Sequence, residues 1–236
     1  MVAWEHVGLA GVFGGLVALE RRAFLQAMLS RPLVASTVMG LLLDDVTSGV
    51  FVGLLLELFH LGSANLGAAL ADNETLAATG TSAAAAALAR GNGGTPAIWS
   101  LSVLLFIGLG RAGRGLDRAL EGYSARVASR ALAEADTGEL RRAIRQNLWG
   151  MWPHFVVSGL ITAACAWLGS AAGPFWDRMP LGLVRGLAWA YPAMTAVAAA
   201  IAVRGSHARR APLLAGGAAA LVCLAVTLYQ LQRRLA

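Results

Sequence analysis

A chain of 236 residues with 57% hydrophobic and 14% charged side chains, and a mean hydropathy of +0.63, is too apolar for an ordinary soluble domain. That length holds roughly seven to nine membrane spans with short loops. The formal charge of +6 rests on 19 basic residues, all of them Arg; arginine forks onto phosphates, but biased coding is the simpler account, and no nucleic-acid partner is expected.

In chain order, the first stretch, MVAWEHVGLAGVFGGLVALERR, has no basic region before its apolar run and reads as a retained segment rather than a cleaved signal. Its apolar part, Val7 to Leu19, is short for a span. Next come Leu33 to Leu43 and Gly49 to Leu61, far below the ~20 residues a crossing needs. Two readings remain open. Either these pieces join into long helices across Asp44–Ser48, or they are broken, re-entrant segments, which is the reading favoured here. Irregular backbone at membrane depth survives only where protein or a wet cavity satisfies it, and short Gly-interrupted apolar pieces often mark a transporter's binding site.

Carboxylates are set into this apolar block: Asp44, Asp45, Glu57 and Asp72. A charge at mid-bilayer costs ~2.5–3.5 kcal/mol on insertion scales, so a retained one usually faces a wet cavity or a polar partner. Glu57, Asn65 and Asp72 are near two-turn spacing, and one continuous helix would put them on one stripe. Gly62 and Gly67 make a break, with convergence from two segments, the more natural arrangement. Carboxylates and amides pair with sugar hydroxyls, although an ion-coupled transporter would use the same groups. A plainer reading leaves Asp44–Asp45 as helix caps and Glu57 alone within the membrane.

Residues 111–147 form a polar interlude with eight arginines and five acids. Leu116, Leu120, Tyr123 and Val127 fall at helical spacing and predict an amphipathic helix. Asp136 and Glu139 resemble a capping box opening a second, short helix. The arginines place this connector in the cytoplasm, either solvated or lying against anionic lipid headgroups. Three conventional spans follow, near Leu148–Ala172, Leu181–Val203 and Pro212–Leu231. The expected fold is therefore an all-α polytopic membrane protein in three parts. These are an N-terminal membrane region over 1–110 with short broken or re-entrant segments, the 111–147 connector, and a C-terminal transmembrane region over 148–236.

Other motifs carry little. Gly108–Gly113 fits GxGxxG by letters but lacks the strand–turn–helix context. GxxxG pairs at Gly11/Gly15, Gly49/Gly53, Gly169/Gly173 and Gly182/Gly186 permit close helix contact, yet 28 glycines make coincidence common. His60, three residues after Glu57, reads as a hydrogen-bonded core histidine rather than a relay. His154, after Pro153, says less still. Trp149, Trp152, Trp167, Trp176 and Trp189 sit near span ends, where an aromatic belt explains them. Cys165 and Cys223 have no metal or redox spacing. No metal, cofactor or catalytic constellation is expected.

From about Gly14 to Ala78 the chain resembles the mannose-type IIC membrane component of the bacterial phosphoenolpyruvate-dependent sugar phosphotransferase system. The residues that carry the resemblance are Arg31-Pro32-Leu33, Gly40, Asp45, Thr47, Gly49, Leu56-Glu57, Leu61-Gly62, Asn65, Gly67-Ala68-Ala69 and Ala71, in order and without gaps. Beyond Arg90 it thins to hydropathy and length. The resemblance implies a multi-pass protein of the bacterial inner membrane that is not itself an enzyme. It would carry a hexose beside a related IID membrane subunit in an oligomeric complex, while soluble IIA and IIB proteins carry the phosphoryl group. It further implies that Glu57, Asn65, Asp72 and Asn73 contact the sugar, and that Asp45 and Gly49 set a hairpin turn. Two departures stand out: Asp44 where the family commonly has Gly, and Asp72-Asn73 where it commonly has Pro-Asp. The alternative role is a non-transporting scaffold or sensing subunit derived from that family.

Overall fold

The computed structural model describes residues 3–22, 27–61 and 71–205. Their regular structure is helical: α1 (Trp4–Arg22), α2 (Pro32–Leu42), α3 (Val46–Leu61), α4 (Glu74–Ala89), α5 (Pro96–Phe106), α6 (Leu109–Asp136), α7 (Leu140–Ala171), the single turn α8 (Gly173–Trp176) and α9 (Leu181–Gly205). Asn65, Gly62, Gly67, Cys223 and the expected span Pro212–Leu231 lie outside the described residues. Among the described residues, three helical stretches are long and apolar enough to cross a membrane: Pro96–Asp136, Leu140–Ala171 and Leu181–Ala202. The chain is thus an all-α polytopic membrane protein.

The reading in which α2 and α3 join into one helix does not survive. The chain turns back at Leu43–Asp45, where Asp44 takes a left-handed φ of +62°. Glycine adopts that conformation without penalty, and Asp or Asn are the next most tolerant residues. The common family glycine at this position therefore has a steric reason, and this chain uses the slot for a charge: Asp44 lies 3.1 Å from His6 and 3.4 Å from Arg90. Asp45 then caps α3, accepting from the Ser48 amide at 3.1 Å and the Ser48 hydroxyl at 2.6 Å. Gly40 and Gly49 let the two helices touch, since a Cβ on Gly40 would stand 2.8 Å from the Gly49 Cα. The 11 residues of α2 and 16 of α3 rise only about 16 and 24 Å, less than the ~30 Å hydrocarbon core.

At the centre lies α4, in which 14 of 16 residues are buried. Ala, Gly, Ser and Thr make it thin, so helices close in on every side without a hydrophobic drive between them. Its hydroxyls turn back on its own carbonyls, Thr79 to Thr75 at 2.9 Å and Ser82 to Ala78 at 2.7 Å, and Thr79 also meets Thr162 of α7 at 3.3 Å. A Cβ on Gly169 would collide with the Ala84 carbonyl and stand 2.8 Å from its Cα. Gly169→Leu should therefore destabilise by about 1–3 kcal/mol or more through overpacking. Gly182→Ala, whose Cβ meets nothing within 4 Å, should be neutral or slightly stabilising; thermal unfolding in detergent compares the two.

Helix α1 runs antiparallel to α7. Gly11 faces Gly159 and Ala163, Gly14 faces Thr162, and Gly15 faces Phe155. The Gly11/Gly15 and Gly49/Gly53 pairs are genuine close approaches, whereas Gly182 and Gly186 touch nothing. The antiparallel run brings Arg21 and Arg22, at the end of α1, beside the first half of α7.

The connector is helical, but the helix that follows the amphipathic α6 is not short. Asp136 is the last residue of α6, Gly138 turns the chain with φ +81°, and α7 begins at Leu140 without a side-chain cap from Glu139. The capping-box reading was misled by letters: a Gly in the left-handed region closes a helix, and here it separates two long ones. From there α7 runs unbroken for 32 residues through the expected boundary at 147/148.

Candidate functional site

At the end of the bundle where α1 and α3 finish and α2 and α4 begin, polar groups gather in two adjoining sets. The first surrounds Glu57. Its Oε2 accepts from the Leu33 amide at 3.2 Å, and its Oε1 lies 3.6 Å from Arg31 Nε. Glu57 thus caps α2 from a neighbouring helix, a task the sequence RPL cannot perform for itself because Arg31 offers no side-chain cap. A carboxylate has about four acceptor sites, so capacity remains for a hydroxyl donor. Its side chain is 16% exposed. Beside it, Glu20 accepts from the Ser30 amide at 2.9 Å and the Ser30 carbonyl accepts from Thr75 at 3.1 Å. These bonds tie α1, the start of α2 and the start of α4 together.

The second set surrounds Asp117. This carboxylate, 5% exposed, lies 3.1 Å from both Arg21 and Arg22. It also accepts from the Asn73 carboxamide at 3.1 and 3.2 Å. The other end of Asn73 caps α4, its Oδ1 taking the Leu76 amide at 2.9 Å, and its backbone amide donates to Gly110 at 2.9 Å. Asp72, next in line, holds Arg114 through Oδ1. Its Oδ2 has no partner among the described residues, and the side chain is 33% exposed.

The expected site residues therefore meet different fates. Glu57 and Asp72 lie at the same end of the bundle on separate elements, so the single-stripe arrangement does not occur. Asn65 lies outside the described residues. Asn73 is 5% exposed with both ends of its carboxamide engaged, so as placed it offers nothing to a ligand. Asp45, in the α2–α3 turn, and Gly49, in the first turn of α3, lie at the opposite end. His60 bonds the Leu56 carbonyl at 2.8 Å.

Sequence reasoning took Asp117 for one more solvated acid. The signal was present: Gly110, Gly113 and Asp117 fall at i, i+3 and i+7, and that stripe is the buried face of α6. A Cβ on Gly113 would stand 2.6 Å from Asn73 Cβ, which accounts for one glycine of the GxGxxG letters, whereas Gly108 meets nothing within 4 Å. Asn73→Asp, which would restore the family's common acid at this position, places a second carboxylate against buried Asp117 and removes two donated bonds. A loss of about 1–3 kcal/mol is expected, read as a lower unfolding temperature in detergent.

Among the described residues no cluster of His, Cys, Asp and Glu could hold a metal ion.

The family described as "PTS system sorbose-specific iic component" matches residues 5–229. The chain belongs to that family. Two relatives are sorbose-specific EIIC components, one from Klebsiella pneumoniae with 51% identity over 47 residues and one from Lacticaseibacillus casei with 47% over 49 residues. The alignments span 20% and 21% of this chain, and 18% of the length of each relative. Among solved structures, one named only as a membrane protein superposes with a TM-score of 0.68 and 21% identity, covering 98% of this chain and 94% of the other. The mannose transporter ManYZ in complex with microcin E492 superposes with a TM-score of 0.52 and 22% identity, covering 98% and 95%. These superpositions share one fold with this chain over nearly its whole length. This IIC-family protein is a multi-pass protein of the bacterial inner membrane.

Proposed function

We propose that this IIC-family chain carries a hexose across the membrane as the translocating subunit of a sugar phosphotransferase complex. The observation that carries the reading is Glu57, a largely buried carboxylate with spare acceptor capacity at the end of the apolar α3. Asp72 Oδ2 and the Arg114 guanidinium add a second acceptor and a donor, and Asn65, outside the described residues, is assigned to the sugar by the family resemblance alone. Asn73 acts through position, holding Asp72 on its cap. The arginines of α6 and α7 put this end in the cytoplasm, where a IIB partner phosphorylates the sugar and IIA supplies the phosphoryl group. In this reading α2 and α3 are dipping segments rather than full crossings, and a IID membrane subunit completes the oligomer. The chain itself performs no phosphoryl transfer.

The test is phosphoenolpyruvate-dependent uptake of labelled hexoses in membranes holding the chain and its partner subunits. Glu57→Ala should abolish uptake while the protein still inserts; normal uptake would remove Glu57 from the site. A second reading, a scaffold or sensor that moves no sugar, draws support from Asn73, whose carboxamide is locked onto Asp117 where the family's common acid would stand. That reading expects no uptake of any hexose from an intact complex.

A further inference from the structure

Arg111 and Arg118 differ from the arginines that the fold neutralises. All 13 acids of the chain fall among the described residues, and none of them pairs with either guanidinium. The neighbouring acids are taken: Asp117 by Arg21 and Arg22, Glu121 by Arg22 at 3.4 Å, and Asp72 by Arg114. Both arginines are exposed on α6, and Arg114 stands between them at helical spacing, so the three share one face. Together with Gly115 they line one open recess of about 460 Å³.

That face carries an excess of charge. Three guanidinium groups meet a single carboxylate, Asp72, which leaves two positive charges uncompensated. Like charges three and four residues apart on a helix repel, so an anion in the recess relieves the face. A phosphate monoester carries about −1.5 to −2 charges at pH 7, which matches the excess, whereas one carboxylate would leave half of it. Guanidinium forks also hold two phosphate oxygens at once. Arg114 uses Nε and Nη2 on Asp72 Oδ1, and its Nη1 has no partner among the described residues. Asp72 thereby joins the recess to the candidate sugar site, holding Arg114 through Oδ1 and leaving Oδ2 open.

We infer that Arg111, Arg114 and Arg118 form a phosphate-monoester site beside the sugar site, which holds the hexose phosphate before its release to the cytoplasm. The inference rests on the sugar-carrying reading above. Transfer of the phosphoryl group stays with IIB, and the site only binds the product. A lipid headgroup that ends in a phosphate monoester offers the same chemistry, so the test includes one. The full chain, assembled with its partner membrane subunit, is placed in phosphatidylcholine nanodiscs. Equilibrium dialysis follows labelled D-mannose and L-sorbose beside D-mannose 6-phosphate and D-fructose 1-phosphate. In parallel, complex extracted from vesicles containing phosphatidic acid is assayed for retained lipid by mass spectrometry.

A hexose phosphate should bind, and Arg111→Gln with Arg118→Gln should weaken it about 10- to 100-fold, the worth of two charge-assisted hydrogen bonds at a wet surface. The unphosphorylated hexose should bind the same variant as before, which also shows that it is folded. Arg111→Lys with Arg118→Lys should fall between, because charge remains and the fork is lost. A hexose that binds when no hexose phosphate does, or a hexose phosphate indifferent to the Gln substitutions, overturns the site and leaves the Glu57 reading standing. Phosphatidic acid retained by the wild type and lost in the Gln variant, with no hexose phosphate bound, assigns the recess to a lipid headgroup and overturns its role for the product. Absence of binding by hexoses and hexose phosphates alike overturns the sugar-carrying reading and this site with it.

Discussion

Asp117→Ala should be among the most damaging single substitutions in this chain. It would leave Arg21, Arg22 and the Asn73 carboxamide facing one another with no anion between them. A buried ion pair is a poor source of net stability, because desolvation offsets the attraction. Removing one partner, however, strands the others and costs about 3–5 kcal/mol. Three elements feel the loss at once: the end of α1, the capped start of α4, and α6. Thermal unfolding in detergent should show a large drop, and Asp117→Asn, which keeps the shape and half the acceptors, a smaller one. Equal stability of Asp117→Ala and wild type would mean that the arginines reach water more easily than the structure indicates.

Trp99→Ala should come close in size for a different reason. Trp99 is 1% exposed, stacks on Phe51 with ring centroids 4.3 Å apart, and meets Tyr191 edge-on at 5.2 Å. Its indole donates to the Ser48 hydroxyl at 2.8 Å, the same hydroxyl that Asp45 holds. The Tyr191 hydroxyl donates to the Phe51 carbonyl at 2.9 Å. One side chain thus joins α5 to the turn of the α2–α3 hairpin and to α9. Truncation of a buried Trp costs about 3–5 kcal/mol, and here it also frees the cap of α3. The expected result is a lower unfolding temperature, with Trp99→Phe intermediate because stacking survives while the indole bond is lost. Full stability of Trp99→Ala would place the hold on the hairpin elsewhere, in the Gly40–Gly49 contact.

The sequence alone determined the class of this protein. Composition dictated a membrane solvent, and apolar runs of the right length predicted helices later found within α7 and α9, because a bilayer forces every backbone group to pair inside its own segment. The run from Arg31 to Ala71 was enough to point to the family, since a gapless pattern of Gly, Pro and acid specifies turns and close contacts rather than mere apolarity. The shortness of Leu33–Leu43 and Gly49–Leu61 likewise stated that neither piece crosses alone as a straight helix.

What the tertiary structure decided is which polar groups are buried and with whom. Asp117 reads on paper like the four other acids of its polar interlude, and only the close approach of α6 to α4 and α1 turns it into the centre of a buried network. Asn73 reads as a ligand-binding amide until its two ends are found on Leu76 and Asp117. The Ala-rich stretch after it shows little amphipathic pattern, because a helix buried on all sides has no polar face to show. Trp99 stands three residues into its apolar stretch, where a belt tryptophan would be expected, and only the fold shows that it is buried. In each case the deciding quantity is distance to a residue far away in sequence, which hydropathy and spacing do not encode. Burial then sets whether a charge costs a fraction of a kcal/mol or several.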